Sequence, residues 1–348
     1  MTFACARATR ALLLALAVSA CTAGLQLTED KTAIGEKTPL VWPSEPAPPR
    51  VAFVQTFSRP EQLGITKGFF QRVAEVLFGA TDAHLVRPMA VAAVDHVIYV
   101  ADPGAKAVHR FDQRNGRYDL IYAAEDKPLP SPVALTPGAG GKVYVSDSAL
   151  GRVFVIEPGA KDASPVALDA KLGQPTGIAF DAATGQLFVV DTAQHRVNIF
   201  DRRGNLTSSF GRRGAGDGEF NYPTLLWRTP EGLLYVTDSL NFRIQIFDER
   251  GRFVRKFGRQ GDGSGDAARQ KGVALDRYGH VYVVDGLFHA IQIFDGAANF
   301  LLAIGAQGRD RGEFWLPTGI FIGDDDKIYV ADSHNQRVQV FRYIGGPG

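Results

Sequence analysis

The chain has 348 residues, 45% hydrophobic and 22% charged, with a formal net charge of +1. This is ordinary globular composition with enough apolar mass for a sizeable core. The near-zero charge supplies no global field toward nucleic acid or anionic lipid, and two cysteines cannot build a disulfide framework.

At the N-terminus, Arg7 and Arg10 precede an apolar run from Ala11 to Val18. The run is too short to span a membrane and reads as the core of a signal peptide over residues 1–20. Val18-Ser19-Ala20-Cys21 follows and resembles the bacterial lipobox, in which small residues precede a cysteine that is lipidated and becomes the mature N-terminus. Val18 departs from that pattern, which prefers Leu. An ordinary secretory signal with an incidental Cys21 is the plainer alternative. Either way Cys5 leaves with the signal, and with Cys21 acylated no free thiol remains for catalysis. Residues 21–49 are polar and Pro-rich and read as an extended tether.

From Arg50 onward a repeat dominates. Strands ending in Asp recur at Asp102, Asp147, Asp191, Asp238, Asp285 and Asp332, with spacings of 45, 44, 47, 47 and 47 by subtraction. About 15 residues before most of them stands a Pro (Pro88, Pro132, Pro175, Pro223 and Pro317), with Gln270 in the fifth unit. A short apolar strand follows each of these, and two more strands follow each Asp. Four alternating strands per unit form one twisted antiparallel blade, and six units at this period predict an all-β, six-bladed β-propeller over residues 50–348. The last unit stops at Phe341-Arg342 without a fourth strand. The segment Arg50 to Phe57, RVAFVQTF, looks like that missing strand and is expected to close the ring.

These motifs, such as LYVTDSLNFRIQIFD at Leu234 and IYVADSHNQRVQVFR at Ile328, resemble NHL-repeat β-propellers. The match covers roughly Arg50 to Tyr343, best in units three to six; units one and two are degenerate, with AVHRF and RVFVI where the others read closer to RIQIF.

Each recurrent Asp ends a strand where a tight loop begins, and Asp side chains fix such loops by accepting backbone N–H bonds. Arg recurs five residues later, at Arg152, Arg196, Arg243 and Arg337, so an Asp–Arg staple is expected. His195 and His289 both lie four residues past their Asp. Propeller lyases and hydrolases, such as the peptide-amidating lyase and gluconolactonase families, gather a metal near the axis. His195 and His289 with an acidic third ligand would be the candidates here, but no third His and no acidic cluster accompany them. No metal or cofactor is therefore expected. No HExxH, GxSxG, CxxC or Walker pattern is present.

Departures from the repeat are the better functional clues. Phe57 precedes Pro88 by 31 residues where the later units show 13, so 18 residues are inserted. Within them, at about 66–78, Phe69, Phe70, Val73 and Leu77 have the spacing of an amphipathic helix that would lid or plug the loop-bearing face. In unit four, Trp227 and Arg228 replace the Ala179 and Phe180 of unit three. Lys106, Arg212, Arg213, Arg259, Arg269, Arg309 and Arg311, with the repeated arginines, are expected to form a basic rim able to hold an anionic glycan, peptide or carboxylate, and His195, His289, Trp227 and Arg228 to join it in a loop-face binding surface; a solvated, partly neutralised surface is the alternative. The sequence thus predicts a monomeric propeller, lipid-anchored in a bacterial envelope and facing the periplasm or outer surface. It would act as a binding or scaffold module for a protein, peptide or glycan rather than for nucleic acid. A metal-dependent lyase or hydrolase with its site at the axis is the second reading.

Overall fold

The computed structural model describes residues 39–66, 83–124 and 127–345. The expected signal peptide, Cys21, most of the expected tether and the inserted segment with Phe69, Phe70, Val73 and Leu77 lie outside them.

The six predicted blades are present, each built on an Asp-terminated second strand. Their innermost strands are Ala90–Val94, Pro132–Pro137, Pro175–Phe180, Pro223–Arg228, Gln270–Leu275 and Pro317–Ile322. Each touches the next around the axis, and the sixth touches the first. Close approach there depends on the Gly after the Pro-Thr pair: a Cβ on Gly319 would lie 2.5 Å from the Met89 carbonyl oxygen of blade one. Hydroxyls stitch the same ring. Thr176, Thr224 and Thr318 each donate to a backbone carbonyl at the matching position of the next blade, on Thr224, Lys271 and Met89.

The ring closes as expected. Val51–Phe57 pairs antiparallel with Arg337–Tyr343, from Val51 opposite Tyr343 to Phe57 opposite Val338. Val51 and Phe57 are fully buried, and Phe53 meets Phe341 edge-on at 5.7 Å. The body also begins ahead of Arg50. Val41–Trp42 adds a fifth strand to blade six, with the Trp42 ring 5.6 Å from Phe341. The apolar pair in an otherwise polar segment finds an aromatic surface to cover.

Blades one and two differ from the rest because the outer strand of blade two, Asp162–Pro165, has four residues. It pairs with its own blade through Ser164 and Pro165. Asp162 and Ala163 pair in parallel with Tyr122 and Ala123 of blade one, so the two blades share one eight-stranded sheet.

Candidate binding site at the axis

Strand direction decides which residues share a face. Inner strands start on the face that carries the Asp-terminated loops and end on the opposite, hairpin face. Thr224 is the second residue of its strand, whereas Trp227 and Arg228 are the fifth and sixth. Trp227 and Arg228 therefore sit at the hairpin mouth of the axis, away from the loop-face residues they were grouped with. That grouping is corrected by counting along a six-residue strand.

At the hairpin mouth lies a pocket of about 410 Å³ lined by the inner strands of all six blades. Its walls are mixed, with Ala93, Leu135, Ile178 and Val273 beside the polar Asp95, Thr136, Arg228 and Asp324. The Trp227 ring lies 5.9 Å from Phe321. These residues belong to blades four and six, so their contact crosses the axis past blade five. Arg228 bonds Asp181 of blade three at 2.9 Å, while its buried Nε has no hydrogen-bond partner among the described residues. Burial works against the Asp181 charge, but hydrogen bonds from Thr184 and Ala183 and the Arg228 guanidinium outweigh it and hold the carboxyl below its ordinary value. Asp95 and Asp324 stand exposed at the rim, neither in an ion pair among the described residues. The pocket thus combines aromatic and aliphatic walls, one buried guanidinium donor and an acidic lip.

On the Asp face most of the predicted residues serve the fold. All six Asp side chains are 0% exposed. Each accepts backbone N–H bonds from the segment entering its own blade, for example Ser131 on Asp147, Gly173 on Asp191 and Trp315 on Asp332. In blade one, burial opposes the Asp102 charge, but bonds from His109, Val86 and Ala105 prevail and hold that carboxyl low.

The Asp–Arg staple forms in blades four and six alone among the described residues: Arg243 to Asp238 at 2.8 Å and Arg337 to Asp332 at 2.7 Å. Arg243 is 6% exposed, and its other nitrogens donate to the carbonyls of Ala215, Gly216 and Glu219. Arg337 uses Arg309, Asp310 and Glu313 in the same way. Those carbonyls belong to the Gly-rich links ahead of these two blades. The links ahead of blades two and three lack that Gly-rich turn, and Arg152 and Arg196 make no such pair.

His195 and His289 are struts rather than partners in one centre. The Nδ1 of His195 accepts from the Tyr222 N–H at 3.2 Å, and that of His289 from the Leu316 N–H at 3.0 Å, each joining its blade to the next. Both histidines hold positive φ, as do Lys106, Gly151, Phe242 and Gln336 at the matching loop positions. They stand two blades apart. Among the described residues no group of three His, Cys, Asp or Glu side chains is placed to hold a metal ion.

The expected basic rim is partly cancelled. Arg212 pairs with Glu219 and Arg259 with Asp266, and both arginines are exposed. Arg309 lies 5.0 Å over the Trp315 ring. Lys106, Arg152 and Arg213 are exposed to solvent, and Arg196 is half-buried. Sequence reading missed the pocket wall outside blade four, because Ala93 or Val273 looks like any core residue until the ring is closed.

Residues 314–341 match the family model described as NHL repeat, and residues 226–286 match one described as 6-bladed beta-propeller. Solved structures of the same fold include a streptogramin B lyase, 13% identical with a TM-score of 0.56 over 76% of this chain and 95% of that one. A virginiamycin B lyase from Staphylococcus aureus is 14% identical, with a TM-score of 0.55 over 83% of this chain and 99% of that one. A protein from Bacteroides thetaiotaomicron described as an auxiliary nutrient binding protein is 12% identical, with a TM-score of 0.59 over 76% of this chain and 71% of that one. No curated protein matches the chain. Blade count, closure and repeat define a six-bladed β-propeller. The chain is a six-bladed propeller in which residues 314–341 match an NHL repeat.

Proposed function

We propose that this propeller is a binding module whose ligand enters the axial pocket on the hairpin face. The observation that carries the reading is the pocket itself. About 410 Å³ lies within the range of small-ligand sites, and Trp227, the strongest departure from the repeat, points its ring into that region. The aliphatic and aromatic part of the wall suits an apolar or aromatic group, and Asp95 with Asp324 disfavours an anion. The ligand class is therefore a neutral or cationic amphiphile, or an apolar side chain of a peptide partner. The nutrient-binding relative agrees with a binding role, although likeness at this identity speaks for fold alone.

N-phenyl-1-naphthylamine, an uncharged apolar fluorophore, is expected to bind with one saturable site per chain. Its sulfonated anionic analogue should bind more weakly. Ala93→Phe, which fills the pocket from blade one, should abolish binding while the melting transition persists. Unchanged binding in Ala93→Phe would place the site elsewhere.

We further propose that the propeller is held at a bacterial envelope by lipid on Cys21. The support is the Arg7/Arg10 flank, the short apolar run and the small residues ahead of that cysteine. Cys21→Ser in the full chain should move the protein from the membrane fraction to the soluble fraction. Retention of Cys21→Ser on membranes would contradict an anchor at that residue.

A further inference from the structure

Blade five breaks the repeat where its inner strand begins. Gln270 stands in the Pro position and Lys271 in the position of Thr176, Thr224 and Thr318. Gly286 follows the blade-five Asp, where Thr192, Ser239 and Ser333 follow theirs. These departures meet in space. In blade three the Thr176 and Thr192 hydroxyls bond each other at 2.7 Å. In blade five the Lys271 stem runs past Gly286 instead, its Cγ 3.5 Å from where a Gly286 β-carbon would stand. The half-buried Lys271 ammonium makes no hydrogen bond or ion pair among the described residues, and neither does the exposed Arg269 guanidinium two residues earlier. Burial, first, and Arg269, second, push the Lys271 amine below its ordinary value, against the pull of Asp285.

The six Asp carboxylates at this entrance are fully buried and accept backbone N–H groups, and the other charges beside them are cationic. The residues just before and at the start of each inner strand on this face include Arg87, Arg269 and Lys271 and no Asp or Glu, and the residues following the six buried Asp side chains are likewise uncharged. The hairpin mouth at the other end of the axis carries Asp95 and Asp324 without an ion pair among the described residues, while Asp181 pairs with Arg228, Asp325 with Lys327 and Asp326 with Arg277. Among the described residues the unpaired exposed charges thus differ in sign between the two ends of the axis, acidic at Asp95 and Asp324 and basic at Arg269. A lysine partly withdrawn from water, with no partner and a second cation beside it, is stabilised by an anion more than by solvent.

We propose that the Asp-face mouth binds a small anion presenting a carboxylate or phosphoryl group, held by Lys271 and Arg269, independently of the hairpin-face pocket. Lys271 supplies the point charge and Arg269 the planar fork that grips two oxygens at once. Gly286 leaves the stem its path.

The test uses inorganic phosphate and succinate against NaCl of equal ionic strength. Amine acylation of the intact protein, read residue by residue by mass spectrometry, should slow at Lys271 in a saturable way, about tenfold near ten times Kd, with other lysines unchanged. Phosphate or succinate should also raise the melting temperature of the wild type but not of Lys271→Thr. That variant restores the residue of three other blades and places a hydroxyl where theirs bond the next blade, so it is expected to fold. Arg269→Gln should weaken protection without removing it. Protection by phosphate alone selects a phosphoryl ligand, and protection by succinate alone a carboxylate. The proposal is overturned if neither anion slows Lys271 or shifts the melt beyond NaCl, or if Lys271→Thr keeps the full shift.

Discussion

Removal of residues 39–57 is expected to abolish the cooperative melting transition of the whole body, not of one blade. Val51 and Phe57 are fully buried and Phe53 packs on Phe341. Burial of three such side chains contributes about 1.5–3 kcal/mol each, and a domain's entire stability is about 5–15 kcal/mol. Their loss is comparable to the whole margin, and it exposes Arg337–Tyr343 as an open sheet edge. A milder change grades the claim. Phe57→Ala should cost about 3–5 kcal/mol and lower the melting temperature by roughly 10 °C. Thermal melts followed by circular dichroism provide the check. A truncated chain that melts cooperatively at the wild-type temperature would show that the ring does not depend on its closing strand.

The second large effect belongs to Asp332. Its carboxylate accepts from the Trp315 N–H, the Asn335 amide, the Arg337 guanidinium and the Gln339 amide. Asp332→Ala leaves all four donors without it, one of them a largely buried cation, and should cost about 3–5 kcal/mol. Asp147 occupies the same repeat position but among the described residues accepts only the backbone N–H groups of Ser131, Ala149 and Leu150. Asp147→Ala should therefore cost about 1–3 kcal/mol. Denaturant melts of the two variants test the order. Equal losses would mean that Arg337 and Gln339 contribute nothing through Asp332.

These two variants show where the sequence was legible. The period of the Asp-terminated strands fixed blade number, and the incomplete sixth unit with RVAFVQTF at the other end fixed closure, since both are properties of strand pattern. The recurrent Asp is a loop holder, as a strand-ending Asp before a tight loop implies. The Arg five residues later was over-read as one device. Arg243 and Arg337 are stapled because a Gly-rich link offers three carbonyls to each guanidinium, and that contact spans 24 to 28 residues of chain. Spacing within one repeat cannot reveal it.

The site was less legible than the fold. Trp227 and Arg228 were recognisable as departures, but their face follows from position along an inner strand, and the pocket exists only when six such strands surround it. His195 and His289 looked like an incomplete ligand pair because both types of role place an imidazole on a loop. Their Nδ1 bonds to Tyr222 and Leu316 cross between blades, a relation between repeats rather than within one. Lys271 has no repeat pattern of its own, because the position it fills is Thr in blades three, four and six, and its approach to Gly286 exists only in the folded blade.

The most direct test of the binding assignment is contact quenching of Trp227. The variant Trp42→Phe/Trp315→Phe leaves Trp227 as the single tryptophan of this three-tryptophan chain. Bromobenzene quenches an indole only at close contact. The axial pocket predicts saturable quenching of Trp227, displaced by N-phenyl-1-naphthylamine and lost in Ala93→Phe. Undiminished Trp227 emission while the naphthylamine is fully bound and bromobenzene competes with it would show that the apolar site lies away from the axis.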